Sequence, residues 1–174
     1  MSKSNVKPAQ GKLGVMVVGL GAVTSTFMTG VLMARKGLAK PVGSMTQYDK
    51  IRVSDGKETK YLKYNEIVPI ASLNDIVFGA WDVYPANAYE SAINAEVLKE
   101  KDINPVKDEL EAIKPLKAAF DHNYAKRLDG SNIMVGKTRW EMVEQLREDI
   151  RNFKKENGVD RVVVLWAAST EVYV

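Results

Sequence analysis

The apolar run Leu13-Gly14-Val15-Met16-Val17-Val18 leads directly into Gly19-Leu20-Gly21-Ala22-Val23-Thr24-Ser25-Thr26, and a helical pattern then continues from Phe27 to Lys36. A strand, a glycine turn and a helix in that order commit the chain to an α/β arrangement, because a continuously apolar strand needs helices over both faces. The turn also carries chemistry. A helix N-terminus presents unpaired N–H groups and a partial positive charge, and glycines let a pyrophosphate approach them closely. Gly19-x-Gly21 is part of a G-x-G-x-x-G pattern, but Thr24 stands at the third glycine and no acid follows about 20 residues later at the tip of a second strand. The segment is either a dinucleotide cradle or a tight turn whose helix is capped by Thr24 and Thr26.

With 174 residues, 45% of them hydrophobic, the chain is long enough for one well-buried core. Residues 1–10 read as a flexible tail and 11–174 as one domain. The net charge of +3 arises from 25 basic and 22 acidic residues spread along the chain, without the basic stripe that nucleic-acid binding requires. There are no cysteines, which excludes disulfides and thiolate metal sites. The first ten residues lack the apolar core of a signal peptide, and no stretch is apolar for long enough to span a bilayer. A soluble, cytoplasmic protein with no nucleic-acid or membrane partner is expected.

Arg35-Lys36-Gly37 stops the first helix, and residues 41–48 read as a loop. Lys50-Ile51-Arg52-Val53 and Lys60-Tyr61-Leu62-Lys63-Tyr64 alternate in polarity around Asp55-Gly56, the pattern of a hairpin. Asp75 to Asp82 is a second strand covered on both faces. Tyr89, Ile93 and Val97 recur every four residues and predict a helix from Asn87 to Lys101, and a shorter helix covers 105–113. Residues 117–136 are irregular. Thr138-Arg139-Trp140-Glu141 is a capping box, followed by an apolar face of Trp140, Val143, Leu146, Ile150 and Phe153 up to Gly158. Arg161 to Trp166 closes the pattern as a β-branched strand. Strands alternating with helices imply a mostly parallel sheet with helices on both faces, whose ligands sit at the carboxyl ends of the strands. The glycine loop, the Ala80–Val83 turn and the Ala167–Thr170 turn should meet there.

Asp82 either accepts hydrogen bonds from ribose hydroxyls or caps the turn after its strand. Ser169 and Thr170 either line a cofactor cleft or satisfy their own backbone. Trp81 and Trp166 read as core residues rather than stacking partners. His122 has no Cys, His or paired carboxylate at ligand spacing, so no metal site is expected. The charges of 144–156 read as a solvated helix face.

From Lys12 to the C-terminus, the order of these segments resembles myo-inositol-1-phosphate synthase. Leu13 to Gly21 looks like the family's opening strand and turn. Gly43-Ser44-Met45-Thr46-Gln47 with Ile51-Arg52-Val53 is similar to its G-S-L-T-Q and I-R-V segments. Asp75 to Val83 resembles D-V-V-F-G-G-W-D-I, and Val159 to Glu171 resembles V-D-K-V-V-V-L-W-T-A-N-T-E. The resemblance implies a Rossmann-like NAD-binding domain forming the N-terminal portion of an enzyme. That enzyme isomerises D-glucose 6-phosphate to a myo-inositol monophosphate by oxidation, aldol closure and reduction, and is a homo-oligomer. It further implies that Gly19, Gly21, Ala22, Val23 and Thr24 cradle the pyrophosphate, that Asp82 holds the adenosine ribose, and that Ala118, Ala119, Ala167, Ala168, Ser169 and Thr170 border the cofactor. The glycine loop is similar to a shorter variant in some prokaryotic members, with phosphate contact through backbone N–H groups and the Thr24 hydroxyl. Family members are more than twice as long and their catalytic lysines lie outside 1–174, so no catalytic residue is assigned. Another NAD-dependent oxidoreductase, or a non-catalytic nucleotide-binding module, is the competing expectation.

Overall fold

In the computed structural model, which describes residues 10–54, 56–123, 125 and 128–168, β1 (Lys12–Val18) lies at the centre of the sheet. Its side chains alternate between two cores: Val15 and Val17 turn to one face, Met16 and Val18 to the other. Val15, Met16 and Val17 are 5, 0 and 2% exposed, which explains an apolar run without alternation. β4 (Ile76–Asp82) and β6 (Val159–Trp166) flank β1 in parallel, and β5 (Leu116–Lys117) extends the sheet beyond β4. Val15 is level with Phe78 on one side and Val163 on the other.

α1 (Ala22–Arg35), α3 (Ala88–Asn94) and α5 (Lys107–Glu111) cover one face, with Met28, Val31, Leu32, Ala88, Ala92 and Leu110 in one buried cluster with Val15, Val17 and Phe78. Each Val, Leu or Met fully withdrawn from water in this way contributes about 1.5–3 kcal/mol. The last turn of α1 is tied to the entrance of β4: Arg35 donates from Nε to the Leu73 carbonyl (2.6 Å) and from Nη2 to the Ile76 carbonyl, with its guanidinium over the Phe78 ring. α6 (Arg139–Glu156) covers the other face. Its Phe153 ring lies against Gly14 and Gly79, and Asp149 accepts from Trp81 Nε1 at 2.8 Å.

Between α1 and β4 the chain inserts a short helical turn, α2 (Met45–Tyr48), and an antiparallel hairpin of β2 (Lys50–Ser54) and β3 (Thr59–Lys63). β4 is therefore the second strand of the parallel sheet even though the hairpin delays its arrival. The chain moves outward on one side of β1 through β4 and β5, then crosses to β6 on the other. That reversal is the topological switch point, where such sheets bind their ligands.

The parallel sheet with helices on both faces is as expected, while several local expectations are corrected. Residues 45–48 form a helical turn rather than loop. The helix expected from Asn87 to Lys101 ends at Asn94. Glu96 adopts a left-handed φ of 53°, Val97 is 59% exposed, and helix resumes only at α4 (Glu100–Ile103). Leu116 and Lys117, read as the margin of an irregular stretch, form the edge strand. The apolar face of α6 is Leu146, Ile150 and Phe153, whereas Trp140 is 69% and Val143 45% exposed. Trp81 is core as expected, but Trp166 is 70% exposed, because it stands at the last position of the edge strand β6, beyond the Val159 and Val162 that α6 covers. The tail expected over 1–10 lies outside the described residues except Gln10, whose carbonyl accepts from Arg161. No helix among the described residues is long and apolar enough to cross a membrane.

Candidate functional site at the carboxyl edge of the sheet

β1 is followed by Gly19, whose φ of 96° is a conformation L side chains rarely adopt. The Gly19 N–H donates to the Trp81 carbonyl (2.8 Å), and the Ala167 N–H donates to the Val18 carbonyl (2.9 Å). The turn is thus held between its two neighbouring strands. Gly21 is the N-cap of α1 and offers no side chain, and the first turn of the helix carries no acid. The first i to i−4 bond of the helix runs from the Ser25 N–H to the Gly21 carbonyl, at 2.9 Å. The amides of Ala22, Val23 and Thr24 therefore lack intrahelical partners, and the positive end of the helix dipole is not neutralised. A side chain on Gly21 would meet nothing within 4 Å, so this flank of the loop is open to a ligand.

Thr24 does something different from what its hydroxyl suggests. It is 2% exposed, and Oγ1 donates to the Gly19 carbonyl at 2.6 Å. The hydroxyl closes the turn from inside, and the Thr24 N–H has no partner within the helix. Val23 is 73% exposed on the open side.

Asp82 ends β4 beside the turn. Its Oδ2 accepts from the Leu20 N–H at 2.5 Å and its Oδ1 from the Tyr84 N–H at 2.8 Å. The acid missing at the usual spacing is therefore present in space: it stands at the tip of the strand next to β1, 62 residues on from Leu20, because the hairpin intervenes. A cleft of about 260 Å³ opens here, lined by Leu20, Gly21, Ala22 and Asp82 together with Tyr84, Ala86, Ser91, Asn94 and Ala95. The last five carry no local motif: Tyr84 and Ala86 follow β4 directly, and the packing of α3 against α1 brings Ser91, Asn94 and Ala95 to the cleft.

Ala167 and Ala168 close the opposite side of the turn, and a Cβ on Gly19 would lie 2.7 Å from the Ala168 Cα. Ser169 and Thr170 lie outside the described residues. Ala118 and Ala119 follow β5, one strand beyond Asp82. Ala118 is buried and bonded in both directions to the 132–134 segment, and Ala119 is exposed. Neither lines the cleft. The His122 ring meets Phe120 edge to face at 5.0 Å.

A glycine turn at the switch point, with an uncapped helix behind it and a carboxylate at the tip of the adjoining strand, is the arrangement of a dinucleotide-binding α/β domain. The comparisons are more specific. The myo-inositol-1-phosphate synthase family model, named for NAD binding, matches residues 13–174, and the chain belongs to this family. It is 62% identical over 173 residues to inositol-3-phosphate synthase 1 of Bacteroides thetaiotaomicron, covering 99% of this chain and 40% of that protein. It is 38% identical over 176 residues to inositol-3-phosphate synthase 1 of Oryza sativa, covering 93% and 35%. The crystal structure of inositol-3-phosphate synthase from Caenorhabditis elegans superposes with a TM-score of 0.80 at 28% identity, covering 96% of this chain and 36% of that one. The chain thus spans well under half the length of these relatives.

Proposed function

We propose that residues 11–174 form the NAD-binding portion of an inositol-3-phosphate synthase, which isomerises D-glucose 6-phosphate to 1D-myo-inositol 3-phosphate through oxidation, aldol cyclisation and reduction. NAD, when bound, accepts a hydride from the sugar and returns it after ring closure. The observation that carries this reading is Asp82, at the tip of the strand beside β1 and hydrogen-bonded to the glycine turn. The amides of Ala22, Val23 and Thr24 face the side where the pyrophosphate would lie, and Gly21 leaves it room. Asp82, with Tyr84, Ser91 and Asn94 around it, lines a cleft that would take the adenosine end. A carboxylate there accepts from ribose hydroxyls and repels a 2′-phosphate, which favours NAD over NADP. Ala167 and Ala168, with Ser169 and Thr170 after them, would border the cofactor from the β6 side, and Ala118 and Ala119 from the far side of Asp82. We assign no catalytic residue to this chain. We read the protein as cytoplasmic and homo-oligomeric, with glucose 6-phosphate as its small-molecule partner. The strip of Val163, Val164, Leu165 and Trp166, each at least 41% exposed, favours assembly.

Calorimetric titration with NAD and NADP tests the cofactor assignment: NAD binds in preference, and Asp82→Ala weakens it. No NAD binding by the folded protein, or an Asp82→Ala variant indistinguishable from the parent, would remove the assignment. Failure of the intact gene product to convert glucose 6-phosphate to an inositol phosphate would remove the synthase reading.

A further inference from the structure

The carboxamide of Asn132 lies across the ends of β4 and β5. Its Nδ2 donates to the Asp82 carbonyl at 2.9 Å and to the Leu116 carbonyl at 3.0 Å. Both neighbours are acceptors, so only the amide nitrogen suits this position. The backbone of the same residue works in the same place: its N–H donates to the Val83 carbonyl at 2.8 Å, and its carbonyl accepts from the Ala118 N–H at 3.0 Å. Gly130 packs so closely on the chain after Asp82 that a Cβ there would fall 2.3 Å from the Val83 carbonyl oxygen. The ladder between β4 and β5 has only two rungs, Trp81 with Leu116 and Asp82 with Lys117. Where it stops, Asn132 takes over the hydrogen bonding that a longer strand would supply.

We propose that Asn132 is the positioning residue of the cofactor loop. It fixes the backbone of Asp82 from behind, and the Asp82 carboxylate in turn holds the Leu20 N–H on the other side of the strand tip. A segment without regular structure thereby sets the glycine turn through one intermediary. The proposal rests on the NAD-binding reading for its effect on affinity but not for its effect on the loop. Removing the carboxamide frees the end of β4 to move, misdirects the carboxylate and loosens the turn.

The test uses Asn132→Leu, which keeps the volume and removes both donors, and Asn132→Asp, which keeps the shape and places a charge against two carbonyls. The Leu20 amide resonance in a ¹H–¹⁵N spectrum reports the latch without any ligand, and it shifts in both variants. The NAD dissociation constant rises about tenfold, because the displaced carboxylate no longer meets the ligand squarely. In an Asp82→Ala background, the same Asn132 substitution changes NAD affinity by less than about twofold, since there is no carboxylate left to position. A Leu20 amide at its parent position in a folded variant overturns the proposal, and so do costs that multiply independently in the double mutant. If Asn132→Leu does not fold, Asn132→Asp carries the same readouts. If the parent binds no NAD, the functional assignment falls, and the Leu20 resonance alone decides the role of Asn132.

Discussion

Gly19 and Ala168 are in backbone contact: a Cβ built on Gly19 would stand 2.7 Å from the Ala168 Cα and 2.8 Å from its nitrogen. The turn between β1 and α1 and the segment after β6 therefore share a space that admits no side chain. Gly19→Ala must relieve this clash and also occupy a φ of 96°, for a combined cost of roughly 2–4 kcal/mol in urea unfolding. Gly21→Ala provides the contrast. Its Cβ meets no protein atom within 4 Å, so stability should stay within about 1 kcal/mol of the parent while NAD affinity falls, because on the proposed reading that space belongs to the pyrophosphate. Equal stability losses in the two variants would contradict this division.

Thr24→Val should destabilise the protein by about 1–3 kcal/mol, since it leaves the part-buried Gly19 carbonyl without its donor, whereas Thr24→Ser should recover most of the loss. If the hydroxyl served phosphate rather than the turn, Thr24→Val would weaken NAD without changing the urea midpoint.

The Phe153 ring occupies the groove left by two glycines on adjacent strands. A Cβ would reach it at 2.7 Å from Gly14 and 2.8 Å from Gly79. Gly79→Ala should cost about 1–3 kcal/mol by overpacking, and adding Phe153→Leu should return part of that cost. Additivity of the two substitutions in denaturation would show that they do not share the groove.

The capping box of α6 gives the fold a dependence on acid. The Thr138 N–H and hydroxyl both donate to the Glu141 carboxylate at 2.7 Å and hold its pKa below the ordinary value of 4.5. Because the folded value is the lower one, this contribution is present above the unfolded pKa and is lost as the pH falls through the folded one. Below pH 4.5 the parent should lose stability more steeply than Glu141→Gln, as read from thermal midpoints. Thr138→Ala should cost about 1 kcal/mol at neutral pH.

Much of the architecture was legible because it is written in local periodicity. The run ending at Gly19, the apolar stretch ending at Asp82, the capping box at Thr138 and the β-branched strand before Trp166 each carry their own signal. The features that escaped depend on partners far away in the chain. Glu96 breaks a helical pattern with no glycine or proline to announce it. Trp166 is apolar yet exposed because its burial depends on which strand lies beside β6. Asp82 stands where a second-strand acid belongs, but an inserted hairpin moves it out of the expected spacing. Asn132 and the five cleft residues after Asp82 have no recurring pattern at all: the ends of β4 and β5 recruit Asn132, while the chain after β4 and the packing of α3 on α1 recruit the others.

β1 is paired along one edge by Ile76–Trp81 and along the other by β6, which follows much later in the sequence, with Gly14 between Val77 and Val162. A ribosome making this protein releases the middle strand of the sheet before either of its neighbours, and β6 well after β4. Until β6 emerges that strand has one edge unpaired and apolar side chains waiting for cover, which slows folding and invites association with other nascent chains. The same placement that puts the glycine turn at the heart of the domain makes it a place where chaperones have reason to intervene.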